Sequence, residues 1–322
     1  MIEGQYNVIV LAGTAEAPQA FAALIDTNTD SRARLNAIHA VPAAPGVDVL
    51  ADGTPVVTNL TYGNIISLPA DEGIYTLDIV PTGATEPKIS TLNSQPIVSD
   101  VVYTVVVVGS AQAPAVIVMA DGEMLLGAIN GSPNTPPVDI YVDGEKLVEG
   151  LEYGKFSDLF RFSAKIFRVE LRLAGTAADS EPLFVDAIQL QAGTVTNLLV
   201  TGKLNGQGDE AMVLSAFWGS SILRKGRGGL YIVNGMIGSK PLALVVGGNT
   251  IVDGGAYRQI GSASGPAGNY TIAITDGDTV NIDIEDYELR ADKNHFVIVT
   301  GTPSKPETIR FFSDPFTVMI KN

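Results

Sequence analysis

Five carboxylates near the C-terminal end have the spacing that comes closest to a chemical site. Asp276 and Asp278 flank a glycine, and Asp283, Glu285 and Asp286 follow within eight positions. Oxygen-rich loops of this kind bind Ca²⁺, which takes six to eight hard oxygen ligands. The spacing does not fit an EF-hand loop, and alternation along a strand places Asp283 and Glu285 on the same solvent-facing side. Calcium is therefore a weak candidate here, and solvated strand carboxylates are the simpler interpretation.

The chain has two histidines, His39 and His295, and no cysteine. The absence of cysteine excludes disulfides, thiolate metal sites and cysteine nucleophiles. No Gly-x-Ser-x-Gly elbow accompanies the histidines. The position of His39 is taken by Asn130 and Asn234 in the repeats described next, so a side chain that hydrogen-bonds a turn is sufficient there. We therefore predict that the protein is not an enzyme, with no catalytic residues and no cofactor-binding residues.

The elements that carry these side chains form a repeat. A β-branched run that ends in glycine occurs four times, and its closing residues are Gly13, Gly109, Gly202 and Gly301. The intervals are 96, 93 and 99 residues, each about the length of one small β-sandwich. The last three copies follow a full module, whereas the first copy begins at residue 5.

Other repeated segments indicate the same fold. Turn pairs Asp52-Gly53, Asp143-Gly144 and Gly247-Gly248 each separate two apolar runs, as hairpin turns do. Apolar and polar residues alternate with the period of two that is typical of half-buried strands. We predict an all-β protein of tandem immunoglobulin-like β-sandwich modules with an N-terminal strand pair. The predicted ranges are 1–30 for the strand pair and 31–122, 123–219 and 220–322 for the three modules.

Charge and hydropathy exclude several partners. The formal net charge is −15, of which residues 1–122 carry −9 (3 basic, 12 acidic) and residues 123–322 carry −6 (17 basic, 23 acidic). An acidic surface repels phosphate backbones, so we predict no nucleic-acid partner. No apolar run reaches the roughly 20 residues that span a bilayer, so we predict no membrane insertion. Glu3 and Gln5 interrupt any signal peptide, and we expect an extracellular, cell-surface protein whose signal has been removed.

Several short motifs of the first full module resemble those of a known family. They are Ile38-His39-Ala40-Val41-Pro42, Pro45-Gly46-Val47-Asp48-Val49, Asp52-Gly53 and Tyr62-Gly63. The pattern resembles an uncharacterised bacterial and archaeal secreted domain that recurs in tandem. The resemblance is best over residues 33–120, weaker over 126–215 and weakest over 228–322. It implies an immunoglobulin-like sandwich exported to the cell surface, with no established catalytic activity.

The N-terminal strand pair leads to the functional hypothesis. Two strands alone are marginally stable in water, so their apolar side must find a partner. Three partners remain open: a neighbouring subunit, the first full module, or nothing, if the pair marks only where the sequence was cut. A further apolar run occurs at residues 316–320. The predicted subunit interface comprises Tyr6, Val8, Val10, Phe21, Leu24, Phe316, Val318 and Ile320.

We therefore predict a non-enzymatic structural protein whose copies form a homopolymer, assembled head-to-tail by strand sharing into a surface filament or sheath. The alternative is a monomeric adhesin or glycan-binding stalk, with a surface glycan as partner. Trp218 is the single tryptophan. Together with Phe217 it is expected to pack a module junction rather than to bind sugar.

Overall fold

The computed structural model describes residues 5–13, 16–133, 135–177 and 179–316. These residues form 26 β-strands, and the described ranges contain one short 3-10 helix, Gly208–Glu210. The prediction of an all-β fold built from tandem sandwiches after an N-terminal strand pair is confirmed.

The chain opens with a two-stranded antiparallel sheet, here called the N-terminal hairpin. Its strands are β1 (Gln5–Gly13) and β2 (Pro18–Asp26). They pair without a register shift over nine residues.

Each later module contributes eight strands, and the modules are named here by those strands. Module 1 comprises β3 (Ala33–His39), β4 (Val47–Ala51), β5 (Thr54–Leu60), β6 (Ile65–Ala70), β7 (Gly73–Pro81), β8 (Ser90–Ile97), β9 (Val102–Gly109) and β10 (Pro114–Asp121). Module 2 comprises β11 (Glu123–Asn130), β12 (Val138–Val142), β13 (Glu145–Leu151), β14 (Phe160–Ser163), β15 (Ile166–Leu173), β16 (Phe184–Gln189), β17 (Val195–Thr201) and β18 (Val213–Trp218). Module 3 comprises β19 (Arg227–Asn234), β20 (Leu242–Val246), β21 (Asn249–Gly255), β22 (Ile260–Pro266), β23 (Gly268–Thr275), β24 (Asn281–Leu289), β25 (Asn294–Thr302) and β26 (Lys305–Ser313).

The three modules share one topology. Each has two four-stranded sheets, with orders β10-β9-β3-β6 and β5-β4-β7-β8 in module 1 and equivalent orders in modules 2 and 3. The first strand of each module pairs in parallel with the seventh over six residues. The seventh strand also pairs antiparallel with the eighth. The seventh strand is therefore held on both edges in every complete module.

The turns follow from residue type. Asp52-Gly53, Asp143-Gly144 and Gly247-Gly248 all have positive φ at both positions. This is the backbone of a two-residue turn that matches the twist of a hairpin, and Asp and Gly adopt it at low cost. The same turn therefore connects the first two strands of the second sheet in each module.

The hydrophobic cores lie between the two sheets of a module. In module 2 the core includes Leu126, Ile140, Phe167 and Leu198. In module 3 it includes Ile232, Leu244, Ile274 and Val297, from strands of both sheets. The chain divides into two compact units, residues 1–123 with 191–193, and residues 124–190 with 194–322. Hairpin and module 1 belong to the first unit, and modules 2 and 3 to the second.

Candidate assembly surface

The N-terminal hairpin has two apolar faces, because successive side chains of a strand point to opposite sides. One face packs on module 1. There Tyr6, Val8 and Val10 of β1 join Phe21 and other β2 side chains against Ile38, Ala40, Val102 and Val106 of module 1. The hairpin is therefore anchored within its own chain through this face.

Polar contacts fix the position of the hairpin on module 1. The amide of Asn36 donates from Nδ2 to the carbonyl of Asp26 (3.1 Å), and its Oδ1 accepts from the Asp26 amide (3.3 Å). The Tyr62 hydroxyl donates to Oε1 of Gln19 at 2.5 Å, and the Tyr62 ring meets the Phe21 ring edge-on at 5.6 Å between centroids. These contacts set the register of β2 on the sheet below.

Burial also affects the tyrosine of β1. Desolvation of the Tyr6 hydroxyl, together with the negative charge of Asp121, raises the pKa of Tyr6, while a hydrogen bond with Thr104 opposes the shift. Tyr6 therefore remains neutral, with its ring inside the contact between hairpin and module 1.

The other face of the hairpin is bare. Ile9 is 74% exposed and Leu11 is 80% exposed. When the repeats are aligned on their closing glycines, these two positions correspond to Val297 and Val299 of module 3, which are both 0% exposed. The equivalents in modules 1 and 2 are also buried. The bare face is thus a sandwich core face without its second sheet.

The hairpin also has an open edge. β1 corresponds to the seventh strand of a module, which elsewhere pairs in parallel with a first strand. Among the described strands, β2 alone pairs with β1. The backbone groups along the other edge of β1 therefore form a template for an added strand.

A matching contact inside the second unit shows what the hairpin resembles. Strands β25 and β26 pair over nine residues, as β1 and β2 do. The Tyr153 hydroxyl of module 2 donates to Glu307 of β26 (2.6 Å) and lies 2.9 Å from the hydroxyl of Thr300. Tyr153 and Glu307 are the repeat equivalents of Tyr62 and Gln19. The hairpin therefore contacts module 1 as the last two strands of module 3 contact module 2.

The contact between modules 2 and 3 is a sheet-on-sheet packing rich in aromatic rings. Phe296 lies at its centre, with ring centroids 5.4 Å from Phe217, 4.9 Å from Tyr231 and 4.7 Å from Phe311. Phe156 extends the cluster, 4.8 Å from Phe311. The prediction that Phe217 packs a module junction is confirmed, whereas Trp218 points away and is partly exposed.

The residues predicted to form the subunit interface do not lie on one surface of the structure. Tyr6, Val8, Val10 and Phe21 face module 1, and Leu24 is exposed on the opposite side. Phe316 is buried. Val318 and Ile320 lie outside the described residues. The subunit interface stays a prediction.

Two apolar side chains of the bare face, Ile9 and Leu11, were not among the predicted interface residues. Alignment of Gly13 with Gly301 places them on core positions of the repeat, and this signal was available in the sequence.

The carboxylates considered for calcium are not brought together. In the described part of the chain, no three histidine or acidic side chains lie close enough to hold a metal ion. Asp276 instead caps its own turn, where Oδ1 accepts three amide hydrogen bonds of 2.9 Å, and these lower its pKa. Asp278 pairs with Lys240 at 2.7 Å. The calcium hypothesis therefore has no support in this geometry.

Both histidines serve the fold. His39 accepts the Val41 amide on Nδ1 (3.2 Å), so Nε2 carries the proton and donates to the Pro45 carbonyl (3.1 Å). Asn130 and Asn234 accept the equivalent amide two residues on. This confirms that a turn-bonding side chain is sufficient at that position.

His295 lies in different surroundings, at the start of β25, the seventh strand of module 3. Its Nε2 accepts the Arg290 amide at 2.9 Å, and its Nδ1 lies 3.3 Å from the Tyr287 hydroxyl. Burial and the positive charge of Arg290 lower the pKa of His295. A neutral ring is therefore built into this corner of the fold.

Comparison with known proteins identifies the family of this chain. A model of a domain of unknown function, DUF4397, matches residues 33–128 and 124–219, which together span more than half of the 322 residues. The chain belongs to this family. The two DUF4397 matches agree with the resemblance found for the first two modules. Among curated proteins none matches the sequence.

Solved structures add little to the DUF4397 assignment. The Bacillus anthracis TIE protein aligns with 13% identity and a TM-score of 0.18, over 94% of this chain and 59% of that one. The tip fimbrial protein Mfa3 from Porphyromonas gingivalis aligns with 10% identity and a TM-score of 0.21, over 60% of this chain and 99% of that one. The chain thus spans less than two thirds of the length of the TIE protein. TM-scores this low carry no argument about fold or function. The described residues contain no helix long and apolar enough to cross a membrane.

Proposed function

We propose that the protein is a non-enzymatic structural protein of the cell surface, whose copies join head-to-tail into a filament or sheath. The proposal depends on one observation: the hairpin exposes both a core face, with Ile9 and Leu11, and the open edge of β1. A neighbouring copy that adds a strand to this edge satisfies its backbone groups. Strand addition with an operator that does not close produces a fibre.

The sequence offers a donor for this addition. The run at residues 316–320 reads Phe-Thr-Val-Met-Ile, has one polar residue and is followed by Lys321. Phe316 is buried, so the donor strand begins after it. The acidic character of residues 1–122, with a net charge of −9 (3 basic, 12 acidic), favours contact with the less acidic remainder of a second copy.

The test compares the full chain with the double variant Ile9→Lys/Leu11→Lys by negative-stain imaging and sedimentation velocity over a concentration series. We expect fibres or oligomers for the full chain and single chains for the variant, because two lysines cannot be covered by an apolar partner. Ile166→Lys is the control, since Ile166 is also an exposed isoleucine but lies on β15. Deletion of residues 1–30, with folding checked by circular dichroism, is a second way to remove the surface.

Dispersed single chains in every sample would refute this proposal. The protein would then be better described as a monomeric adhesin, for which the exposed ring of Trp218 is the first candidate contact with a glycan. Assembly of the variants at the same concentration as the full chain would exclude the hairpin as the joining element.

A further inference from the structure

A second exposed apolar row lies beside the hairpin, on the edge strand of module 1. Ile117 and Met119 alternate on one face of β10 and are 48% and 45% exposed. Their repeat equivalents in module 3 are Ile309 and Phe311 of β26, which join the aromatic cluster between modules 2 and 3. The same positions are therefore covered in module 3 and open in module 1.

The order of the strands explains why the row is open. The sheet below the hairpin has the order β10-β9-β3-β6. β2 contacts β3 and β6, and β1 contacts β9. A strand added to the free edge of β1 continues this order and lies over β10. One added strand would thus pair with β1 and cover Ile117 and Met119.

We propose that the β10 row is part of the docking surface, and that the strand of a second copy which adds to β1 also covers Ile117 and Met119. This inference rests on the proposed function and defines its partner. The occupant is the apolar run after Phe316 of a second copy, running parallel to β1. The same parallel pairing occurs within each complete module, where the seventh strand pairs with the first strand over six residues.

The contact predicts what the donor strand must look like. One side of the strand continues the bare face of Ile9 and Leu11, and the other side meets the β10 row. Both sides must therefore be apolar, unlike a half-buried strand, which has one polar face. Val318 and Ile320 on one parity, with Met319 on the other, meet this requirement.

The first test is the double variant Ile117→Lys/Met119→Lys, with Ile251→Lys as matched control. Ile251 is 49% exposed on β21 of module 3, which is close to the 48% of Ile117. We expect the concentration at which the β10 variant assembles to rise about tenfold or more, since two apolar side chains lose their burial. The control should assemble as the unmodified chain does. A change of less than about twofold in the β10 variant would overturn the inference.

A disulfide cross-linking test identifies the donor strand. Because the chain has no native cysteine, any disulfide must form between the introduced cysteines. Chains carrying Met119→Cys are mixed with chains carrying Val318→Cys or Met319→Cys and oxidised with copper phenanthroline. We expect cross-linked dimers with one of the two donors, because adjacent side chains of a strand face opposite sides. Cross-linking with neither donor overturns the assignment of the strand.

The proposed function and the β10 contact can be refuted by different outcomes. Loss of assembly in Ile9→Lys/Leu11→Lys, with normal assembly of the β10 variant, leaves the proposed function standing and rejects the β10 contact. A full chain that stays monomeric at every concentration rejects both. Circular dichroism on each variant separates a lost contact from a lost fold.

Discussion

Phe296 is the side chain whose removal should best report how modules 2 and 3 are held together. It is 0% exposed, and its ring lies within 5.4 Å of three other aromatic rings, measured between centroids. A buried Phe→Ala substitution costs about 3–5 kcal/mol from lost transfer energy and the cavity left behind. Each aromatic pair is worth about 0.5–1.5 kcal/mol. The range for Phe→Ala already contains such losses, so the three pairs place Phe296 in its upper part. We therefore expect Phe296→Ala to lower the free energy of unfolding by about 4–5 kcal/mol.

The assay is urea unfolding followed by circular dichroism, with differential scanning calorimetry in parallel. With a slope of about 2 kcal/mol per molar urea, the midpoint should fall by about 2 M. Because Phe296 lies between two sandwiches rather than inside one, the substitution should also split the transition of the second unit into two steps. Loss of coupling in this way is a departure from two-state unfolding.

Phe312→Ala is the matched control, from the strand that pairs with Phe296. Phe312 is 47% exposed, so its removal opens no closed cavity. We expect a loss under about 1 kcal/mol and an unsplit transition. Equal losses for the two variants, or a loss under about 1.5 kcal/mol for Phe296→Ala, would refute the view that this aromatic cluster couples the modules.

Three further outcomes are expected. The pKa of His295 is lower in the folded protein than in the unfolded chain. As the pH drops, the unfolded chain therefore takes up a proton on His295 at a higher pH than the folded protein does. The free energy of unfolding should consequently fall as the pH drops below about 6.5 towards the folded pKa. His295→Gln should flatten that dependence in urea titrations at several pH values. Asp139→Ala should cost about 1–3 kcal/mol in the same assay, because the buried carboxylate accepts the Gly150 amide at 2.8 Å and pairs with Lys146. Asn36→Ala should speed hydrogen exchange in residues 5–26 more than in module 1, since it removes both bonds to Asp26; uniform exchange would contradict this.

Much of the architecture can be predicted from the sequence because the turn residues recur at equivalent positions of each repeat. Paired positive-φ residues such as Asp52-Gly53 and Asp143-Gly144 mark the same hairpin in each module, and the closing glycines set the period. The equivalence of His39 with Asn130 predicted a turn-bonding role without any structure. These features are local, so they can be recognised in a single sequence.

The assembly surface was harder to predict, for a physical reason. Both sides of β1 are apolar, since Val8 and Val10 alternate with Ile9 and Leu11. Alternation defines two faces but does not determine which face finds module 1. That choice depends on the contact made by β2, through the Tyr62 hydroxyl and Gln19. Long-range contacts of this kind are absent from any local pattern.

The two compact units of the chain differ in how many sheets they contain. The second unit contains two sandwiches packed sheet on sheet, with Tyr153 bonded to Glu307 across the junction. The first unit contains one sandwich and, against the same face, the two-stranded N-terminal hairpin. A two-stranded sheet with one bare face is only marginally stable alone, and here its packed face on module 1 holds it in place. The exposed Ile9 and Leu11 lie on this two-stranded sheet. The exposed row on β10 lies on the edge strand of module 1. A second copy that docks as proposed must satisfy three features at once: the edge of β1, the bare face of the hairpin and the row on β10.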